Sequence, residues 1–370
     1  MVLLRLKENS AADRVVLFQH GPFEDLLRTA GVDVCVLGLG SSGQALRKES
    51  GLLRKAVSSL DVLRLARAVA LAAEDMDVLY ANTPKALVVA ALASWIAQKP
   101  VVYHLHDILS REHFSRSNLW LLITLANRFV THVIANSYAS AQAFQDAGGR
   151  TETSVCYNGF DPGLFDRFNS NTAMHRNALR NSLAIGNGEG EESTIVGVFG
   201  RLAPWKGQHI AIEALKQLPH LHLVLVGDAL FGESEYKQEL IRLAEQSEIF
   251  GRVHFLGFRD DVAALMQGVD VVVHCSTAPE PFGRVIVEAM LSRRPIVASA
   301  AGGAEEIVQD GINGLLAIPG DPHDLAGRIR EFLESDSERD RMIEAGYSSA
   351  VERFQLAVIV RKIEEIVASL

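Results

Sequence analysis

Short apolar runs alternate with longer amphipathic stretches along nearly the whole chain, and this alternation restricts the possible folds more than any other feature. The first series is RVVLFQH (14–20), VDVCVLGL (32–39), DVLYAN (77–82), PVVYHLHD (100–107), HVIANS (132–137) and TSVCYNG (153–159). Runs this apolar suit strands covered on both faces, and the amphipathic stretches of roughly 10–15 residues between most of them suit the covering helices. The repeating unit is βαβ, which builds a parallel sheet. Residues 158–193 break the rhythm with Asn, Gly, Ser and charge, and read as a linker with a short helix inside it. A second series follows: STIVGVFG (193–200), LHLVLVGD (221–228), RVHFLGF (252–258), VDVVVHC (269–275), RPIVASA (294–300) and NGLLAI (313–318).

The fold class implied is α/β, two Rossmann-like doubly wound domains facing across a ligand cleft, because such sheets bind at the carboxyl ends of their strands. A chain of 370 residues, 48% hydrophobic and 22% charged, can bury two such cores. Cys35, Cys156 and Cys275 are widely spaced and read as reduced buried thiols, which points to the cytoplasm. No signal peptide opens the sequence, and the longest apolar runs, ALVVAALASWIA (86–97) and LWLLITLA (119–126), are too short to span a bilayer.

The net charge of −9 is unevenly shared: residues 1–168 carry 17 Lys and Arg against 16 Asp and Glu, leaving 19 against 29 for the rest. Nucleic acid is therefore not an expected partner. Residues 47–67 are locally basic, with Arg47, Lys48, Arg54, Lys55, Arg64 and Arg67 against Glu49 and Asp61. The segment is either a solvated helix face or a surface for transient contact at the inner face of the membrane.

In a doubly wound fold, function is sought in the loops that follow strands. Gly200 ends one strand, the next loop carries Arg201 and Lys206, and a helix begins near Gly207. Two cations and free helix N–H groups at one place make a diphosphate cradle, unless the pair is an ordinary surface Arg and Lys. After the strand 269–275 comes PEPFGRVIVEAM (279–290), with Glu280 on a Pro- and Gly-punctuated turn and Glu288 inside an apolar helix. The early N–H groups of that helix, around Phe282, Gly283, Arg284 and Val285, suit phosphate or sugar oxygens. A carboxylate does not help to hold a phosphate, so both glutamates must serve hydroxyls. Glu288 then takes a ribose diol, Glu280 the hydroxyls of a transferred sugar, and Arg201 and Lys206 the diphosphate. The ligand that unites them is a nucleotide sugar. Dipole complementarity for Glu288 and turn exposure for Glu280 are the plainer alternatives, but neither accounts for a shared cleft.

GRLAPWKG, LVGDALFGESEYKQEL, VHFLGFRDDVAALM, PEPFGRVIVEAM and RRPIVASAAGGAEEIVQDGINGLLAIPGDPHDLAGRI resemble the successive landmarks of the retaining glycosyltransferases of family four, across nearly all of residues 132–353. The resemblance implies the GT-B fold, the acid pair as a donor-site signature, and Arg201 and Lys206 on the donor diphosphate. NGFDPGLF (158–165) resembles the family's crossing between domains. The division expected is an acceptor-side domain at 1–168, a donor domain at 169–353, and a C-terminal helix at 354–370 that packs back on the first domain. VVYHLHDIL (101–109) resembles the family's strand-end histidine motif, and His106 fits that place with His104 as its rival. MVLLRLKENSAADRVVLFQHGPFEDLLRTAG resembles the family only from its first helix onward, so a first strand and glycine loop are missing. Either RVVLFQH takes an interior sheet position or the natural protein begins upstream.

The activity implied is transfer of a hexose from a UDP- or GDP-linked donor to a glycan or lipid-linked acceptor, with retention, as in polysaccharide biosynthesis. Arg201, Lys206 and the helix start near Gly283 stabilise the leaving diphosphate, Glu280 and His106 attend the sugar, and front-side attack is preferred to a covalent intermediate. No Asp-x-Asp is read along the chain, so neither a metal nor a cofactor is expected. A catalytically impaired sugar-nucleotide-binding protein and a GT-B nucleotide-sugar epimerase are the alternatives; oligomeric state is not legible.

Overall fold

A computed structural model describes residues 13–38, 59–169, 171–185, 194–230, 232–247 and 249–370. The opening LLRLKEN stretch and residues 47–58 of the basic segment lie outside the described residues. Two compact units divide the chain, one running to Gly159 and resuming at Leu356–Leu370, the other Phe160–Gln355.

In the first unit β1 (Arg14–Leu17) pairs in parallel with β2 (Asp33–Val36), while β3 (Leu79–Ala81), β4 (Val101–Leu105), β5 (His132–Ala135) and β6 (Thr153–Val155) form a separate parallel sheet in that order. RVVLFQH thus contributes a strand laddered only to β2, and no interior position for it is formed among the described residues. The helices start where the sequence supplies a cap. Thr83 accepts the Ala86 N–H ahead of Pro84, Ser115 accepts that of Asn118, and Ser137 that of Ser140. Val101 through Leu105 are all buried, as a strand covered on both faces must be. The closing helix Leu356–Ala368 sets Ile359 and Ile363 against Val102, Ile134 and Cys156.

The second unit holds one six-stranded parallel sheet, β7 (Thr194–Phe199), β8 (Leu221–Val226), β9 (Val253–Gly257), β10 (Val271–His274), β11 (Ile296–Ser299) and β12 (Leu315–Ala317), in the spatial order β12-β11-β10-β7-β8-β9. The expected strands of this unit run two or three residues longer than those observed, because residues such as Gly200 and Asp228 already belong to loops. The expected boundary at 168/169 is also moved. Phe160 donates its N–H to the Phe354 carbonyl at 2.8 Å, and the helix Gly163–Asn169 packs on the helices Val262–Gly268 and Arg284–Leu291. These contacts place 160–168 with the second unit. The stretch read as a linker with one helix carries two, Gly163–Asn169 and Thr172–Ser182; the second buries Leu179 and Arg180.

Candidate functional site

Strands β7 and β10 are neighbours, but the chain leaves β7 toward β8 and leaves β10 toward β11 on the other side. Loops that diverge from adjacent strand ends open the crevice in which doubly wound sheets bind ligands. Both loops singled out from the sequence arise there.

They are held together at close range. Thr277 donates its N–H to the Trp205 carbonyl at 2.8 Å, and the Cys275 thiol lies 3.4 Å from the Lys206 carbonyl. Gly207 has φ +71° and passes so near β10 that a Cβ there would stand 1.9 Å from the Cys275 carbonyl oxygen. Any side chain would force the cation loop off the strand. On its other flank the Glu280 turn is fixed by Gly303, whose N–H donates to the Glu280 carbonyl at 2.7 Å, and by Gly302, where a Cβ would fall 2.5 Å from the same oxygen.

Glu280 is 8% exposed, and three donors meet at its Oε2: Lys206 Nζ at 2.7 Å, His274 Nε2 at 3.1 Å and Ser276 Oγ at 3.1 Å. Burial pushes its pKa upward, but the Lys206 charge and the His274 hydrogen bond outweigh burial and hold the carboxyl well below the usual carboxylate range. Lys206 also lies 4.2 Å over the Trp205 ring. Arg201 is ion-paired with Glu233 at 3.4 Å. Each cation of the expected cradle therefore already has a carboxylate beside it.

Gly283, with φ +95°, precedes the helix Arg284–Leu291, and no side chain caps that helix. In its first turn only Ile286 donates its N–H within the helix start, to the Gly283 carbonyl at 3.0 Å, and those of Arg284 and Val285 face no intrahelical acceptor. Phe282 is buried between Phe160, stacked at 6.3 Å, and Phe354, edge-on at 5.5 Å. The exposed Arg284 lies 4.7 Å over the Phe160 ring and reaches Glu288 Oε1 at 3.2 Å. Burial raises the pKa of Glu288, and Arg284 offsets only part of the rise. Val285 is half-buried on the same first turn.

In the first unit His106 immediately follows β4, half-buried, with Nε2 2.8 Å from Asn82 Oδ1. His104 is 1% exposed within the strand and bonded to the Tyr80 hydroxyl at 2.7 Å, and the two imidazoles lie 4.0 Å apart. His104 is a core histidine bonded through Nδ1; His106 stands at the strand end. Sequence reasoning missed His274, Ser276, Glu233 and Asn82. The signal for the first two was present, since His and Ser interrupt VDVVVHCS where only apolar residues are needed. One Asp-x-Asp spacing does exist, Asp75-Met76-Asp77, but it precedes β3, at the opposite end from the binding edge, and Asp75 pairs with Arg14 at 3.2 Å. Among the described residues no three His, Cys, Asp or Glu gather as metal ligands, and no helix is long and apolar enough to cross a membrane.

Residues 25–164 match the family model described as Glycosyltransferase Family 4, and residues 181–349 the one described as Glycosyl transferases group 1. Over 178 residues the chain is 33% identical to the lipopolysaccharide core biosynthesis glycosyltransferase LpsE of Rhizobium meliloti, covering 48% of this chain and 51% of that protein. Over 305 residues it is 27% identical to the phosphatidyl-myo-inositol mannosyltransferase of Mycobacterium tuberculosis, covering 79% and 74%. The first of these matches thus spans about half the length of the relative. Crystal structures of Anabaena HepE, one in complex with UDP and glucose and one with UDP-glucose, are 43% and 44% identical, each with a TM-score of 0.86, covering 100% of this chain and 95% of that one.

Proposed function

The chain belongs to the glycosyltransferases of group 1 and family four, and from that membership we propose that it moves a hexose from a UDP-linked donor, with UDP-glucose the first to test, to a glycan or lipid-linked acceptor with retention at the anomeric carbon. Its fold class is GT-B, two Rossmann-like α/β units with parallel sheets. The observation that carries the reading is the convergence of Lys206, Glu280 and the uncapped helix start at Gly283 beside the β7/β10 switch point. UDP-glucose is favoured over a GDP-linked donor because the HepE structures contain UDP and glucose.

In this mechanism Glu288 accepts from the ribose diol, and the diphosphate lies toward the first-turn N–H groups, Arg201 and Lys206. As the glycosidic bond breaks, negative charge grows on the leaving phosphate, and those preorganised donors stabilise it without a metal. Lys206 has three N–H donors and gives one to Glu280, so it can serve both ends of the breaking bond. Ionised Glu280 holds hydroxyls of the sugar as positive charge develops on its ring, and the acceptor hydroxyl attacks from the face the diphosphate leaves, passing its proton to the departing phosphate oxygen as the bond between that oxygen and the anomeric carbon breaks. His106 orients the sugar, and lipid-linked acceptors would bring the protein transiently to the cytoplasmic membrane surface.

Calorimetry with UDP, GDP and ADP, followed by NMR of the anomeric proton in the product formed from UDP-glucose, tests the reading. Tighter binding of UDP and an α-linked product are expected. Preference for another base, or an inverted product, overturns the donor or the stereochemistry respectively; a rearranged nucleotide sugar and no transfer would favour an epimerase.

A further inference from the structure

We infer that His274, assisted by Ser276, is the positioning residue for Glu280: it occupies one carboxylate oxygen and leaves the other to the sugar. The inference rests on the sugar-binding role proposed for Glu280. His274 ends β10 at 6% exposure after the wholly buried Val271, Val272 and Val273. Its Nε2 is 3.1 Å from Glu280 Oε2, and Ser276 Oγ lies 3.1 Å from both atoms. An ionised carboxylate only accepts, so Nε2 carries the proton and Ser276 donates to Oε2 beside it. In that tautomer Nδ1 is a bare acceptor, and it has no hydrogen-bond partner in its buried setting. An unpartnered buried nitrogen costs stability that a valine at this strand end would not, so the imidazole acts through Nε2.

All three donors fall on Oε2, and among the described residues none falls on Oε1. A carboxylate held by a single flexible lysine could turn and offer either oxygen. Lys206 ends the 3-10 turn Pro204–Lys206 and is also drawn to the leaving phosphate, whereas His274 closes the central strand β10 and Ser276 follows it by two residues, and the pair keeps the carboxylate plane fixed when Lys206 shifts. The charged or titratable groups facing Glu280 are Lys206 from the loop after β7 and His274 from β10; Arg284 of the following helix turns to Glu288 instead.

The test compares His274→Leu with His274→Gln in the full chain, using UDP-glucose as the probe donor. The leucine removes the donor, whereas the glutamine amide nitrogen reaches the place of Nε2. His274→Leu should lower kcat roughly 10- to 100-fold, the scale of a lost hydrogen bond to a charged group, with UDP affinity and the KM for UDP-glucose within about twofold. The acid limb of kcat should move to higher pH, because charged Glu280 loses a donor. His274→Gln should recover most of the rate, and Ser276→Ala should give a smaller loss of the same kind. A kcat within about twofold of the parent, an equal fall in UDP affinity, or a glutamine no better than leucine overturns the inference. If the leucine variant does not fold, an unmoved acid limb in Ser276→Ala does so. The ¹⁵N spectrum of His274 decides independently of turnover: an Nε2–H tautomer supports the assignment and an Nδ1–H tautomer defeats it. Inert UDP-glucose with the parent protein would count against the proposed donor and leave the tautomer to judge His274.

Discussion

The turn that carries Glu280 and the helix that carries Glu288 are consecutive in sequence, yet they drive the same side chain in opposite directions. Both carboxylates are withdrawn from water, which favours the protonated form. At the turn, three donors from two strand ends converge on Oε2 and burial is overruled; on the helix, one partly exposed arginine four residues back does not overcome it. Burial therefore does not set the charge of a site carboxylate by itself. What decides is how many donors the fold fixes around it before a ligand arrives. On the proposed function, the turn stays anionic while positive charge forms on the sugar, and the helix gains its last hydrogen-bond partners from a bound diol.

The sharpest challenge to this contrast is Glu280→Gln. It should lower kcat roughly 10²- to 10³-fold with UDP affinity within about twofold. It should also cost about 2 kcal/mol of stability, because Lys206 loses its buried counter-charge. Wild-type stability from Glu280 is present above the ordinary carboxylate range and is lost as pH falls toward its depressed folded value, a loss the glutamine variant should not show. A fall in UDP affinity as large as the fall in kcat would erase the distinction between turn and helix.

Removing a cation is the next largest change. Lys206→Ala and Arg201→Ala should each cost roughly 2–4 kcal/mol of transition-state stabilisation in kcat/KM, and only Lys206→Ala should also lower the melting temperature markedly, since Glu280 is then left buried without its ion pair. EDTA should change neither rate nor melting. Equal destabilisation by the two alanines would show that the Lys206–Glu280 pair is not special to the turn.

Glu288→Gln should act on binding, weakening UDP about tenfold, the scale of a hydrogen bond to a charged acceptor. Because the folded pKa of Glu288 is raised, wild-type UDP affinity should weaken on acidification sooner than for an ordinary glutamate, and the glutamine variant should give a flat profile. Calorimetry across pH reads both; parallel profiles would remove Glu288 from the ribose.

The smallest effect carries the sign of the comparison. A carboxyl whose folded pKa is raised contributes stability that is lost as pH rises through that value, so Glu288→Gln should melt slightly higher than the parent, with the gap opening as pH rises from the ordinary carboxylate range through the raised folded value and staying constant above it. Scanning calorimetry of both glutamine variants checks it: opposite signs are expected, and equal shifts would mean that the two sites do not differ electrostatically.

All six strands of the second series were legible because fully covered strands leave dense apolar runs that no side-chain partner can disguise. Boundaries were less so. Phe160 reads as the start of a linker and becomes part of the second unit through a backbone bond to Phe354, a residue 194 positions away in the chain (354 − 160). The pair Glu280 and Glu288 stood out because acids are costly on an apolar helix and its entry turn. His274 and Ser276 did not, since their purpose depends on an atom that the turn brings back onto the strand end.

The sequence by itself determined the βα order, two parallel-sheet units and the chemistry available at the loops after β7 and β10, because strand periodicity, capping residues and the choice of Arg, Lys and Glu act locally. Only the tertiary structure decided which partners those charges would have. Lys206 and Glu280 are 74 residues apart and meet at 2.7 Å because two diverging loops rise from neighbouring strands. Electrostatic energy depends on distance through space, and in the buried surroundings of Glu280 a few ångströms settle whether a carboxylate is held charged or driven toward its acid form.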